Sequence, residues 1–171
     1  MKNLFQSAFL MFGLFISANA SAQSKDIVDI AVGSEAHTTL VAALKAADLV
    51  TTLKGKGPFT VFAPINDAFS KLPAGTVESL LIIENKAVLA KILTYHVVAG
   101  NLDAAAVLAA IKKGNGSVSL TTVSGGTLRA SLENGKVKLT DEKGDSGFVT
   151  IADLRASNGV IHVVDTVLMP K

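Results

Sequence analysis

His37, His96 and His162 are the side chains best suited to acid–base or metal chemistry in this chain, and their placement supports neither. No two share an H-x-x-x-H or H-x-H spacing, and without any Cys a zinc site would need ligands gathered from distant segments. His37 stands one turn before Leu40 on the apolar face of a helical pattern, where a packing residue belongs. His162 alternates with Val160 and Val164, the period of a strand, and reads as a hydrogen-bonded sheet histidine. His96 follows the only tyrosine, Tyr95, at the end of an apolar helix and reads as structural. No metal and no cofactor are expected.

Other chemistry is equally unsupported. There is no G-x-S-x-G nucleophile elbow, and Val123-Ser124-Gly125-Gly126 joins two strand-like runs as a turn. Gly114-Asn115-Gly116 lacks the rest of a dinucleotide fingerprint and precedes a strand, so it offers no phosphate cradle. Asp141-Glu142-Lys143-Gly144-Asp145 lacks the alternating ligand positions of a calcium loop and reads as a solvated hairpin tip. Asn115-Gly116-Ser117 matches a glycosylation sequon, a pattern frequent by chance.

The elements that would position these residues fall into a helical front and a strand-rich back. From Asp26 to Asp48 the apolar residues Ile27, Ile30 and Ala31, then Leu40, Leu44 and Ala47, recur at helical spacing, with Ser34 as N-cap of the second helix. Gly55-Lys56-Gly57-Pro58 leads into a β-rich run, Phe59 to Phe62, that Pro64 stops. Three of the four prolines, Pro58, Pro64 and Pro73, punctuate a strand, short helix and turn. Residues 76 to 94 are helical, with Val77, Leu80, Leu81, Val88, Ile92 and Tyr95 on one face. Leu102 to Lys113 is an Ala-rich helix closed by Lys112-Lys113-Gly114. Beyond it the period falls to two: Val118 and Leu120, Leu128 and Ala130, Val137 and Leu139, with a hairpin turn at Asn134-Gly135 and further strands at Val149 to Ile151 and Val160 to Val164. This order predicts an α+β fold whose antiparallel sheet comes mainly from the C-terminal half.

The first 22 residues stand apart, 14 of them apolar. Lys2 supplies a positive end, and the run from Leu4 to Ile16 would rise about 20 Å as a helix, short of the roughly 30 Å hydrocarbon core. Two A-x-A signals follow, at Ala18-Asn19-Ala20 and Ala20-Ser21-Ala22. Residues 1–22 therefore read as a cleavable secretory signal, with the mature protein starting at Gln23 and residues 23–171 forming a single domain without stable membrane insertion. That domain has 149 residues and a net charge of +1, no Trp and scattered basic residues, so nucleic acid is not an expected partner. With no Cys there is neither a disulfide framework nor a thiol-linked lipid anchor, and stability must come from an ordinary core.

Three ordered segments resemble the fasciclin domain family. Thr60-Val61-Phe62-Ala63-Pro64 with Asn66-Asp67-Ala68-Phe69 is similar to its first motif, and Tyr95-His96-Val97 to its central Tyr-His motif. Ala156-Ser157-Asn158-Gly159-Val160-Ile161-His162-Val163-Val164-Asp165, ending in Val167-Leu168-Met169-Pro170, is similar to its C-terminal motif. The resemblance covers roughly residues 25 to 170. It implies a β-wedge sheet with helices packed around it, in a non-enzymatic exported domain used for adhesion or extracellular recognition. Two positions depart from the family pattern. Ile65 replaces a helix-capping Thr, leaving Asn66 as the candidate cap, and His37 replaces a bulky apolar residue, implying a helix face open to water.

The physical logic of the motif residues is structural. Thr60 and Phe62 suit a strand that Pro64 stops, Asn66 and Asp67 place an acceptor and a negative charge before Phe69, and Gly159 permits the turn after Asn158 into the strand carrying His162 and Asp165. Tyr95 and His96 are expected to be buried. The partner implied is an extracellular or envelope protein or a glycan, in the periplasm, at the cell surface or in the medium. The rival reading is a small periplasmic ligand-binding or hydrolytic protein, which would need a polar pocket holding His96 or His162 beside a carboxylate.

Overall fold

The computed structural model describes residues 24–171. The leader at 1–22 and the start at Gln23 lie outside the described residues.

Short helices form the front. Helix α1 (Ile27–Val32) opens with a reciprocal capping box, in which Asp26 accepts from the backbone N–H of Asp29 and the Asp29 carboxylate accepts from that of Asp26. Gly33 ends it, and a single 3₁₀ turn, Glu35–His37, leads into α2 (Thr38–Ala46) and α3 (Val50–Leu53). Ser34 precedes that turn, but its hydroxyl bonds the His37 ring at 2.8 Å and caps no backbone N–H. After β1 (Phe59–Pro64) come α4 (Asn66–Ser70) and α5 (Thr76–Leu80). The continuous helix expected over 76–94 is broken. Ile82 is extended, a 3₁₀ turn follows at Ile83–Asn85, and α6 restarts at Lys86 and runs to Tyr95. The restart resets the buried face to Leu89, Ile92, Leu93 and Tyr95 and turns Val88 out, at 51% exposure. Helix α7 (Ala104–Lys113) ends at Gly114 as its basic last turn predicts.

Seven strands make one sheet in the order β2-β1-β7-β6-β5-β4-β3. They are β1, β2 (Val97–Ala99), β3 (Ser117–Thr121), β4 (Thr127–Glu133), β5 (Lys136–Thr140), β6 (Ser146–Ala156) and β7 (Gly159–Val164). The back half is an antiparallel meander as its period of two predicts, but β1 and β7 pair in parallel from Phe59 opposite Gly159 to Pro64 opposite Val164. A lone bridge between Val98 and Thr122 brings the two edges together, so the wedge is nearly closed into a barrel.

Alternation along β1 divides the interior in two. Val61 and Ala63 face the helices, packed with Ile27, Leu44, Phe69 and Leu93, whereas Phe62 faces inside the curved sheet with Tyr95, Ile111, Leu128, Leu139 and Leu168. Among the described residues no helix is long and apolar enough to cross a membrane.

Candidate functional site

The three motif segments meet at β2, β1 and β7, consecutive strands at one end of the sheet order, and nearly every polar group they carry is spent on backbone. Tyr95 and His96 end α6, at 0% and 2% exposure. The Tyr95 hydroxyl donates to the carbonyl of Thr127 (2.7 Å) and accepts from the N–H of Glu142 (3.2 Å). Burial pushes its pKa up to about 12, with the Glu142 and Asp141 carboxylates adding to the rise. Its ring lies against Gly126, where a Cβ would come within 2.7 Å, so the turn that joins β3 to β4 must be glycine at that position.

His96 bridges two backbone groups. Nδ1 lies 2.9 Å from the carbonyl of Ile92, and Nε2 lies 2.9 Å from the N–H of Leu168. Since the first partner only accepts and the second only donates, the ring is neutral with its proton on Nδ1. Burial pushes its pKa down to about 4, opposed by the Ile92 carbonyl and the nearby Asp141 carboxylate.

Asp141 and Glu142 complete this knot, which corrects the solvated hairpin tip expected from sequence in part: Lys143, Gly144 and Asp145 are exposed, but Asp141 is buried. Asp141 is 6% exposed: Oδ1 accepts from the N–H groups of Lys143 and Asp145, and Oδ2 from that of Met169. Glu142 accepts from Thr127 and from Lys171, bonds that hold its carboxyl below the usual range. The C-terminal segment from Val167 to Lys171 is thus strapped down through three backbone N–H groups. An Asx turn accounts for the bonds to Lys143 and Asp145, since Asp before a Gly-containing turn often bonds the N–H two residues on, but it carries no signal for the bond to Met169.

The other motif residues are structural in the same way. Thr60, wholly buried, donates to the carbonyl of Gly100 and accepts from Leu102, both at 2.8 Å. His162 Nε2 donates to Leu102 (2.7 Å), and its ring stacks on Phe62 with centroids 5.6 Å apart. Asp165 Oδ1 accepts from the N–H of Phe148, and Pro64 and Phe69 are buried. Asn158 accepts from the N–H of Ile27 and donates to the carbonyls of Leu53 and Gly55, tying α1, the end of α3 and β7 together. Gly159 is required by crowding, since a Cβ would collide with the carbonyl of Phe59; its φ is not in the left-handed region, so the turn explanation is corrected.

Asn66 does not cap its own helix. Its Oδ1 accepts from the N–H of Thr39 (3.0 Å) and its Nδ2 donates to Glu35, so it caps α2 from across the fold, while Ile65 stands uncapping at the N-cap of α4. Asp67 lies exposed in the first turn of α4. His37 is 6% exposed, which closes the face expected to be open to water. Burial pushes its pKa down, against a weaker pull from the Ala63 backbone, and Nε2 reaches no partner in hydrogen-bonding geometry.

Two aspartates that sequence reasoning passed over seat α7. Asp103 accepts from Ala106, and Asp153, at φ 60° in the bulge of β6, accepts from Ala104. Among the described residues no group of three His, Asp or Glu is placed to hold a metal ion. His162 borders an apolar void of about 10 Å³ lined by Phe62, Val107, Val137 and Val149.

Comparison with known proteins places this framework. The family model of the fasciclin domain matches residues 35–170. The chain belongs to the fasciclin domain family. The fasciclin relatives include Protein sll1483 of Synechocystis, 50% identical over 155 residues that make up 91% of this chain and 79% of that protein. Transforming growth factor-beta-induced protein ig-h3 of Sus scrofa is 37% identical over 149 residues, 84% of this chain but 19% of that protein. A solved FAS1 domain pair from the insect cell adhesion molecule Fasciclin I superposes with a TM-score of 0.74 at 19% identity, over 85% of this chain and 51% of that one. At that identity the likeness shows the fold, and the resemblance read from the three motifs is borne out.

Proposed function

We propose that this fasciclin domain is an exported, non-enzymatic recognition module that contributes to adhesion or to a surface or matrix assembly. The observation that carries the reading is the use of its reactive side chains. His96, Tyr95 and Asp141 are buried and each bonded to backbone, and His162 is bonded to the carbonyl of Leu102, so the groups a hydrolase would employ are committed to holding strands and the C-terminal strap. The rival required a polar pocket holding His96 or His162 beside a carboxylate. His96 does lie near Asp141, but both are under 7% exposed, shut away from substrate and bulk water. The fold shared with an insect cell adhesion molecule, together with membership of the fasciclin domain family, supports recognition by surface contact.

The test is photo-crosslinking of the protein, labelled at exposed positions, in its native envelope or culture medium. A recurrent protein or glycan adduct that competes with unlabelled protein is the expected result. A soluble small-molecule adduct, or turnover of ester or glycoside substrates abolished by His96→Gln in a folded variant, would overturn the reading.

A further inference from the structure

We infer that the groove between α5, α6 and the C-terminal strap is a docking site for an amphipathic helical segment of a partner protein whose flanks carry carboxylates. The groove encloses about 590 Å³. Its lining is apolar at Val88, Ile92 and Met169, and all its charged residues are lysines: Lys91, Lys143 and Lys171. Val88 is 51% exposed, although α6 has a well-filled buried face of its own. An apolar trough of this kind accepts anchors repeating at i, i+3, i+4 and i+7.

Charge selects the occupant. Lys91 donates to the backbone carbonyl of Lys171, and neither Lys143 nor Lys171 has a carboxylate within 4 Å among the described residues. The carboxylate beside them, Glu142, is held by the N–H groups of Thr127 and Lys171. The lysines Lys91, Lys143 and Lys171 stand against the Glu142 carboxylate, so the rim keeps a positive excess complementary to acidic flanks, the arrangement that steers encounter and fixes register.

Shape selects it further. Ile82, 51% exposed, and Ile83, 87% exposed, stand at the corner between α5 and α6, the two helices that line the groove. A small amphiphile in the trough would leave that corner bare, whereas a helix of several turns covers both. A flat anionic bilayer fits less well. It cannot reach the recessed Ile92, 7% exposed, and it would meet the Glu84 carboxylate next to Ile83. The inference rests on the recognition reading and names the surface that serves it.

The test uses the purified protein and a synthetic 16-residue amphipathic peptide with Leu at i, i+3, i+4 and i+7 and Glu on both flanks, compared with its Lys-flanked counterpart by fluorescence anisotropy. The Glu peptide should bind at least tenfold more tightly. Lys143→Glu combined with Lys171→Glu should reverse that order, and Val88→Asp should weaken both peptides at least tenfold, with melting temperatures near that of the parent because all three positions are exposed. Equal binding of the two peptides, or indifference to Val88→Asp, would overturn the proposal. So would binding to phosphatidylglycerol vesicles that is lost with Ile83→Asp while neither peptide binds. If the envelope adducts form equally with Val88→Asp and with the lysine reversals, recognition stands and this groove fails. Peptide selectivity without any envelope adduct would retain the groove and count against the broader reading.

Discussion

The Tyr95 hydroxyl holds two chain segments at once, so its removal should be costly out of proportion to one oxygen atom. Tyr95→Phe leaves the Glu142 N–H and the Thr127 carbonyl without that partner and should cost about 1–3 kcal/mol; Tyr95→Ala adds a cavity and should cost about 3–5 kcal/mol. Urea denaturation measures both, and a loss of partner crosslinking by Tyr95→Phe at unchanged stability would show the residue to be a contact instead. At position 65 the backbone has N-cap geometry without a side-chain acceptor, and Ile65 packs against the helical core. Since Thr and Val have nearly the same shape, Ile65→Thr should be more stable than Ile65→Val by about 0.5–2 kcal/mol, the worth of a cap. Equal midpoints for the two variants would contradict that. Sequence spacing was enough to bury Tyr95 and His162, because neighbours at three, four or two positions report which face a side chain takes. It was not enough for Asn66, whose bonding partners lie 27 and 31 residues away on another helix, nor for Asp141, whose polar neighbours gave no hint of a backbone N–H arriving from Met169.

At the scale of elements, the strap from Val167 to Lys171 makes stability depend on acid. His96 has a folded pKa near 4, below its ordinary 6.5, so in the interval between these values the unfolded chain binds more protons than the folded one. Stability from this group is full above pH 6.5 and declines as pH falls toward 4, by about 3 kcal/mol at roughly 1.4 kcal/mol per unit. His37 and Glu142 have lowered pKa values too, and act in the same direction. Denaturant midpoints at pH 7, 5.5 and 4.5 should fall steadily, and His96→Gln, though less stable at pH 7, should show a flatter slope; parallel slopes would assign the acid sensitivity elsewhere. Asn158 joins α1, α3 and β7, and Asn158→Ala should cost about 1–3 kcal/mol, with hydrogen exchange quickening first at Ile27. Among the elements, the meander β3 to β6 was legible because its pairings are local and its turns carry Gly. The break at Ile82 was not, because apolar residues continue across it at helical spacing, and only the restart of α6 decides which of them turn outward.

For the whole molecule, the fold class followed from helices preceding strands, while the parallel pairing of β1 with β7 did not. Phe59 and Gly159 are a hundred residues apart, and nothing local to either announces the other. The first and last motif segments are the two strands of that pair, a pairing that neither periodicity nor the resemblance had stated. Their juxtaposition also governs how the domain would respond to mechanical load. The chain enters beside the start of β7, where Lys25 accepts from the N–H of Ser157 and Ile27 is held by Asn158, and it leaves β7 at the opposite end, beyond Val164. Once the strap has given way, tension between the two ends runs lengthwise along β7, which is flanked by β1 on one side and β6 on the other. The strand can slip only if its backbone bonds to both neighbours shear together instead of unzipping in turn. Forced extension between residues 24 and 171 should therefore show one abrupt rupture governed by a high unfolding barrier, and gradual lengthening at low force would contradict it. A domain threaded in this way carries tension through an interior strand, paired on both sides, instead of through an edge.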